Sequence, residues 1–271
     1  MSGELQQAPK GALSKKQEQI KTVKDLLERC GPQIAAALPK HLTAERLTRV
    51  AMTALQRIPT LLECDPKTLA LAVMNAAELG LEPNLIGHCY LVPFNNKRTG
   101  KKEVQMMPGY KGLIDLARRS GEISTVDAQI VREDDEFKVT LGTDPTILHT
   151  PKFSTAPMTH AYAVIVLKDG GKQFSVMSKD QIEAIRARSK AKDSGPWVTD
   201  YEAMCKKTVL KQALKFAPCS IETQKAIAHD EAADAGITQT TDLPVDLGEA
   251  EVVEPEPDME AVVLEKAHKE L

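Results

Sequence analysis

Residues 88–121 read HCYLVPFNNKRTGKKEVQMMPGYKGLIDLARRSG. The apolar runs at 88–94 and 103–107 predict two strands, and the turn-rich residues between them predict a hairpin with a basic tip. A Pro-Gly pair ends the second strand, and apolar residues at helical spacing then predict a helix over 110–120. A strand hairpin that leads directly into a helix is typical of an α+β fold.

The elements on both sides of this stretch support the same fold class. Asp65 as N-cap, Pro66 at the first helical position and Gly80 after the last turn predict one well-delimited helix. The remaining elements are predicted helices at 44–58, 178–189 and 200–217 (the last capped by Thr199), and strands at 124–131, 137–141, 160–167 and 173–177. We therefore predict a small twisted antiparallel sheet with hairpins packed against helices.

The amino-acid composition favours some classes of protein over others. The 271 residues are 42% hydrophobic and 27% charged, which suits one globular domain with appendages. No apolar run approaches the roughly 18 residues of a membrane span, and residues 1–19 lack the apolar segment of a secretory signal. The five cysteines form no Cys-x-x-Cys pair, so we expect reduced thiols in a cytoplasmic protein.

Charge is distributed unevenly along the chain. Residues 1–228 contain 33 basic and 25 acidic residues, a net of +8, whereas residues 229–271 contain 2 and 13, a net of −11. A basic body with an acidic tail favours a polyanionic partner, although an ordinary surface with a solubilising tail is the alternative. We predict a polar helical arm at 1–30, a core at 31–228, and an acidic disordered linker at 229–271 that ends in a short docking segment at 259–271.

A row of lysines on the last predicted helix is the clearest candidate site. Lys207, Lys211 and Lys215 recur every four residues, so they share one face at a spacing of about 6 Å. That spacing is comparable with the distance between phosphates on an extended nucleic-acid strand. Acidic residues are absent from this helix after Glu202, so pairs within the helix do not explain the lysines. A solvated lysine face remains the alternative.

Other basic groups lie at the ends of predicted elements, beside aromatic residues. Basic side chains give affinity for phosphates without sequence preference, and aromatic rings can stack on unpaired bases. Each aromatic residue could instead be a core residue, and cations at 118–119 could instead stabilise a helix end. The predicted binding residues are Lys97, Arg98, Lys101, Lys102, Tyr110, Lys111, Arg118, Arg119, Arg186, Arg188, Lys190, Trp197, Lys206, Lys207, Lys211 and Lys215.

Enzymatic motifs are weak in this sequence. It contains neither the G-x-x-x-x-G-K-[ST] phosphate-binding loop nor the H-E-x-x-H zinc motif. Asp127 followed by Glu136 and Lys138 resembles the pattern of some Mg²⁺-dependent nucleases. An exposed acidic turn at 133–136 is the simpler interpretation.

Several blocks resemble the RecT family of phage and prophage recombinases. They are GLEPN at 80–84, CYLVPF at 89–94, MPGYKGLIDLARRSG at 107–121, GPWVTDYEAM at 195–204 and KKTVLK at 206–211. The block around 110–113 is the most specific to this group. The lysine-rich helix alone would not identify it.

The resemblance implies a non-enzymatic protein that binds single-stranded DNA and anneals complementary strands without ATP, in rings or helical filaments. It implies a core similar to annealing proteins of the Rad52 type. We also expect the N-terminal arm to contact other subunits or DNA, and we expect no required cofactor, with Mg²⁺ possible as a counterion of DNA. The resemblance also implies that the C-terminal tail contacts a phage exonuclease and the host single-strand-binding protein. A DNA-coating or loading protein without annealing activity is the alternative. The acidic tail could also compete with DNA for the basic body.

Overall fold

The computed structural model describes residues 10–39, 42–83, 86–97, 99–193 and 195–239. The elements in chain order are α1 (Lys10–Arg29), α2 (Gly31–Ala37), α3 (Ala44–Arg57), a 3-10 turn (Pro59–Glu63), α4 (Pro66–Leu79), β1 (Cys89–Asn95), β2 (Lys102–Pro108), α5 (Tyr110–Arg119), β3 (Ile123–Arg132), β4 (Glu136–Thr140), β5 (Thr146–Thr150), β6 (Met158–Leu167), β7 (Lys172–Ser178), α6 (Lys179–Arg186), α7 (Pro196–Thr199), α8 (Tyr201–Leu214) and α9 (Ile221–Ala235).

The strands in the described part of the chain form three small antiparallel sheets. β1 pairs with β2, β4 pairs with β5, and the third sheet has the order β3-β6-β7. The α+β class is therefore confirmed, as are both predicted hairpins. The strand β5 was not predicted, because its alternation of exposed and half-buried residues is short and follows a polar turn.

Local capping signals explain where two helices begin and end. The Asp65 carboxylate accepts a hydrogen bond from the Lys67 amide at the start of α4, and Gly80 ends that helix at φ 62°. Ser178 and its partner Gln181 form a capping box on α6. The predicted cap of α8 is wrong: Asp200 occupies that position and makes no capping hydrogen bond, because Thr199 belongs to the short helix α7.

The N-terminal helices form one half of the core. Val23, Leu26 and Leu27 of α1 are buried in the same apolar cluster as α4, which is buried along most of its length. The predicted arm at 1–30 is thus helical from Lys10 and packs against the core rather than projecting from it. Residues 1–9 lie outside the described part of the chain.

The three-stranded sheet forms the other half. Ala161, Ala163 and Ile165 on one face of β6 belong to the core cluster against which α8 and α6 pack. On the opposite face the β4-β5 hairpin folds over Tyr162, whose ring stacks on Phe137 at a centroid distance of 5.8 Å. This arrangement anchors the hairpin at its base.

The folded chain continues beyond the predicted start of the acidic tail. Helix α9 runs to Ala235, Gly236 ends it at φ 68°, and the residues that follow contact β2. The expectation of a disordered linker from 229 is therefore wrong for residues 229–239, because the apolar face and paired acids of α9 hold it on the core. The predicted docking segment at 259–271 lies outside the described residues. None of the described helices has the length and apolarity to cross a membrane.

Candidate nucleic-acid interface

The predicted lysine row does not face solvent. Lys207 and Lys211 are each only 8% exposed. Their ammonium groups both lie 2.5 Å from carboxylate oxygens of Asp230, and Lys211 also lies 3.4 Å from Asp234. The acidic partners come from α9 rather than from α8 itself, which is why spacing within one helix could not reveal them.

In this network, burial of the charged groups and the attraction between opposite charges shift the pKa values in opposite directions. Burial alone would lower the pKa of Lys211, but the carboxylates of Asp230 and Asp234 together raise it. Asp230 is completely buried, and the two lysines outweigh the effect of burial and hold its pKa below the usual value. Lys211 and Asp230 are therefore both charged near neutral pH. Lys215, at the exposed end of the row, pairs with Glu231 at 2.7 Å.

Three other predicted residues also have structural partners. Arg119 donates hydrogen bonds to the carbonyl oxygens of Leu79 at 2.9 Å and Gly80 at 3.0 Å, and so satisfies the C-terminal end of α4. Arg186 pairs with Glu183 and donates to the Lys192 carbonyl. These arginines stabilise the fold rather than presenting free guanidinium groups. Lys102, at the base of the β1-β2 turn, pairs with Glu63.

Trp197 is not available as a stacking platform. It is only 3% exposed, and its ring lies 6.3 Å from that of Tyr201 between α7 and α8. Its indole nitrogen has no hydrogen-bond partner among the described residues. Trp197 follows a Gly-Pro pair in which Gly195 has φ 58° and Pro196 begins α7.

Several predicted cations remain exposed. Within the described ranges, no ion pair involves Lys97, Lys101, Lys111, Arg118, Arg188 or Lys190. Lys97 and Lys101 lie at the tip of the β1-β2 hairpin, and Arg98 between them lies outside the described residues. The backbone amide of Lys190 bonds to Asp234, which holds that loop against α9.

Lys206 lines a cavity of about 430 Å³ together with Arg132 and Glu202, which pair with each other at 2.7 Å. The nuclease pattern gains no support from this region. Asp127 binds the side chain of Gln129, and Glu136 pairs with Lys152 instead. No group of three or more His, Cys, Asp or Glu side chains in the described residues could hold a metal ion.

Tyr90, Tyr110 and Lys111 form an exposed group at the junction of β1 and α5, which we call the aromatic corner. The two tyrosines are 50% and 41% exposed, and Lys111 is also exposed. Burial, with contributions from Tyr110 and Asp200, raises the pKa of Tyr90, so the Tyr90 phenol is neutral near pH 7. Neutral rings beside a free ammonium group can stack on bases while the cation contacts phosphate.

Two glycines hold the aromatic corner together. A Cβ atom on Gly109 would lie 2.0 Å from the Gly87 carbonyl oxygen, and one on Gly112 would lie 2.1 Å from the His88 carbonyl oxygen. Only glycine allows the first turn of α5 to approach the start of β1 so closely. This contact explains why the stretch Pro-Gly-Tyr-Lys-Gly at 108–112 has glycine on both sides of the exposed Tyr-Lys pair.

Sequence reasoning identified Tyr110 and Lys111 but missed Tyr90. Its position in the alternating β1 strand, where Cys89 and Leu91 are buried, could have revealed it as an outward-facing aromatic residue. The structure therefore brings together three side chains that lie 20 residues apart in the sequence. It does not bring the buried Lys207 and Lys211 to the surface beside them.

Comparisons with known proteins agree with the resemblance seen in the sequence. A model of the RecT family matches residues 45–244, which include the aromatic corner, α8 and α9. Protein RecT of Escherichia coli (strain K12) is 50% identical over 203 residues, covering 73% of this chain and 76% of the relative. The uncharacterized protein YqaK of Bacillus subtilis (strain 168) is 28% identical over 246 residues, covering 89% of this chain and 82% of the relative.

Proposed function

Because the chain belongs to the RecT family, we propose that it binds single-stranded DNA and anneals it to a complementary strand without ATP. Family membership supports a recombination protein that acts by annealing and not as a classical enzyme.

The aromatic corner is the observation that carries the proposed mode of binding. Tyr90 and Tyr110 offer two exposed rings, and base stacking on such rings is worth about 1–3 kcal/mol per base. Lys111, beside them, offers a cation without an ion-pair partner among the described residues. Every base has a flat face, so this type of contact accepts any sequence. A protein that must anneal arbitrary strands needs that tolerance.

Annealing requires no fuel, because base pairing and stacking make it thermodynamically favourable. The protein must reduce the repulsion between two phosphate backbones, and the exposed lysines and arginines at the hairpin tip, α5 and the 188–190 loop can do so. A homo-oligomer, as a ring or helical filament, would align long tracts so that many bases are tested together. Mg²⁺ would act only as a counterion of the DNA.

We propose a core related to the Rad52 type of annealing protein, and α1 as a contact to DNA or a neighbouring subunit. The C-terminal tail would contact a phage exonuclease and the host single-strand-binding protein in the cytoplasm.

The direct test measures binding and annealing by the wild-type protein without ATP. If each subunit neutralises about six phosphates, affinity for an oligothymidine should fall with salt at a log–log slope near −4. Complementary oligonucleotides carrying a fluorescence pair should also anneal faster with the protein than without it. A slope shallower than about −1 would exclude the cationic interface. Tight binding without faster annealing would favour a DNA-coating protein.

A further inference from the structure

The residues that follow α9 are held on the β1-β2 hairpin. We call residues 237–239 the strap. The side-chain amide of Gln239 bonds to both backbone groups of Met106, accepting from its N–H at 2.8 Å and donating to its carbonyl at 2.7 Å. The Gln105 side chain donates to the Ile237 carbonyl at 2.8 Å. These bonds fix the point from which the rest of the chain departs.

The strap also reaches the turn that carries the basic tip. Thr238 donates to the Glu103 carboxylate at 3.0 Å and accepts from the Asn96 amide at 2.8 Å. Glu103 is only 5% exposed and also accepts from Asn96 and Thr99, so neutral donors satisfy it without help from the nearby lysines. Asn96 immediately precedes Lys97. The strap therefore bonds to the residue immediately before Lys97, which is the first residue of the basic tip.

The sequence that follows the strap is strongly acidic. Residues 240–271 contain ten acidic and two basic residues, a net charge of −8. The first carboxylate, at Asp242, is three residues beyond Gln239, a distance of about 10 Å for extended chain. A linker of this length would give the acidic residues an effective concentration near the millimolar range beside the hairpin.

The hairpin tip is a cationic surface close to the strap that remains available to these acids. Lys97 and Lys101 are exposed and have no ion pair among the described residues. The lysine row of α8 is already neutralised by Asp230, Asp234 and Glu231, so it offers no free charge of this kind.

We propose that the acidic segment at 242–258 binds Lys97 and Lys101 at the tip of the β1-β2 hairpin of its own chain and competes there with DNA phosphates. The inference rests on the proposed function, because DNA is the competitor. It makes the tail a brake on DNA binding: only a strand long enough to engage the aromatic corner and other cations as well displaces it.

The test removes the negative charge of the acidic segment at 242–258 without changing the length of the chain. The neutral-tail variant is Asp242→Asn, Asp246→Asn, Glu249→Gln, Glu251→Gln, Glu254→Gln, Glu256→Gln and Asp258→Asn in the full chain. If the tail covers the tip for about nine-tenths of the time, this variant should bind oligothymidine about tenfold more tightly at low salt. The gain should shrink as salt screens the competing contact.

A second variant pair locates the effect. With Lys97→Gln and Lys101→Gln in the background, the neutral tail should give no further gain, because its target is gone. The matched background is Lys168→Gln with Lys172→Gln, which removes two exposed lysines at the tip of the β6-β7 hairpin, a different hairpin from the one that the strap contacts. There the tenfold gain should persist.

Three outcomes would overturn the inference. These are an unchanged affinity of the neutral-tail variant, a gain that survives loss of the tip lysines, and a gain that disappears on dilution of the protein, which would place the tail on another subunit. In each case the wild type still binds DNA, so the proposed function stands. Failure of every variant and of the wild type to bind would instead contradict the proposed function.

Discussion

The buried network between α8 and α9 predicts a large loss of stability when Asp230 is replaced by alanine. The substitution leaves Lys207 and Lys211 with almost no exposure and removes carboxylate oxygens that lie 2.5 Å from both ammonium groups. Removing one partner of a buried ion pair costs about 3–5 kcal/mol. Lys211 keeps Asp234 at 3.4 Å, so we expect a value toward the lower end of that range.

A triple substitution separates the charge effect from packing. Lys207→Met, Lys211→Met and Asp230→Leu replace all three charges by apolar groups of similar size, and such replacements of buried charge networks are often neutral or stabilising by about 1–4 kcal/mol. The triple variant should therefore unfold near the wild-type midpoint or above it.

Urea unfolding at pH 7, followed by circular dichroism, measures both variants. Asp230→Ala should lower the midpoint without changing the dependence on urea, and in thermal scans should lower the Tm by about 2–4 °C per kcal/mol lost. A loss below about 1 kcal/mol for Asp230→Ala, or a triple variant as unstable as the single one, would refute the reasoning. So would a well-folded triple variant that no longer binds DNA, because the lysines would then serve DNA directly.

Three further predictions concern other parts of the fold. Gly112→Ala should cost about 1–3 kcal/mol, because its Cβ would meet the His88 carbonyl at 2.1 Å, whereas Gly31→Ala, with nothing within 4 Å, should be neutral or stabilising in the same thermal scans. Backbone N–H groups of residues 152 and 132 lower the pKa of Asp135 to about 2, below the value of about 3.9 for an unfolded chain. Its stabilisation is thus complete above about pH 4 and lost as the pH falls toward 2, so the free-energy gap between wild type and Asp135→Asn should narrow over that window; a constant gap in urea titrations would contradict this. Trp197→Phe removes a buried N–H that has no described partner, so DNA affinity measured by fluorescence anisotropy should be unchanged, and a selective loss of binding would show that the indole contacts DNA.

Features that depend on residues close together in the sequence could be predicted from the sequence. The caps of α4 at Asp65 and Gly80, and the turns of both long hairpins, depend on conformational preferences within a few residues. The unit at 108–112 was also readable, because Pro and Gly interrupt a strand before a helical pattern. These elements fixed the fold class correctly.

Features that depend on distant partners were not readable. The lysine row looks like a free cationic face until α9 places Asp230 against it, some 20 residues later. The strap could not be predicted from the sequence. Gln239 bonds to the backbone of Met106, and no pattern of side chains indicates a contact with backbone groups. The predicted start of the acidic linker at 229 was wrong for the same reason, because acids of α9 pair with lysines of α8. Trp197 was predicted to be a stacking residue, but it is buried, and its burial depends on packing that the sequence does not show.

The most direct test of the central claim is ATP-free annealing of two complementary oligonucleotides labelled with a fluorescence pair. It compares the wild type, a Tyr90→Ala/Tyr110→Ala/Lys111→Ala variant and the Lys168→Ala control. We predict rapid annealing by the wild type and the control. The corner variant, verified as folded, should be slower by at least about tenfold, since each lost stacking contact is worth about 1–3 kcal/mol. Equal rates for the corner variant and the wild type, or no acceleration by the wild type, would contradict the account.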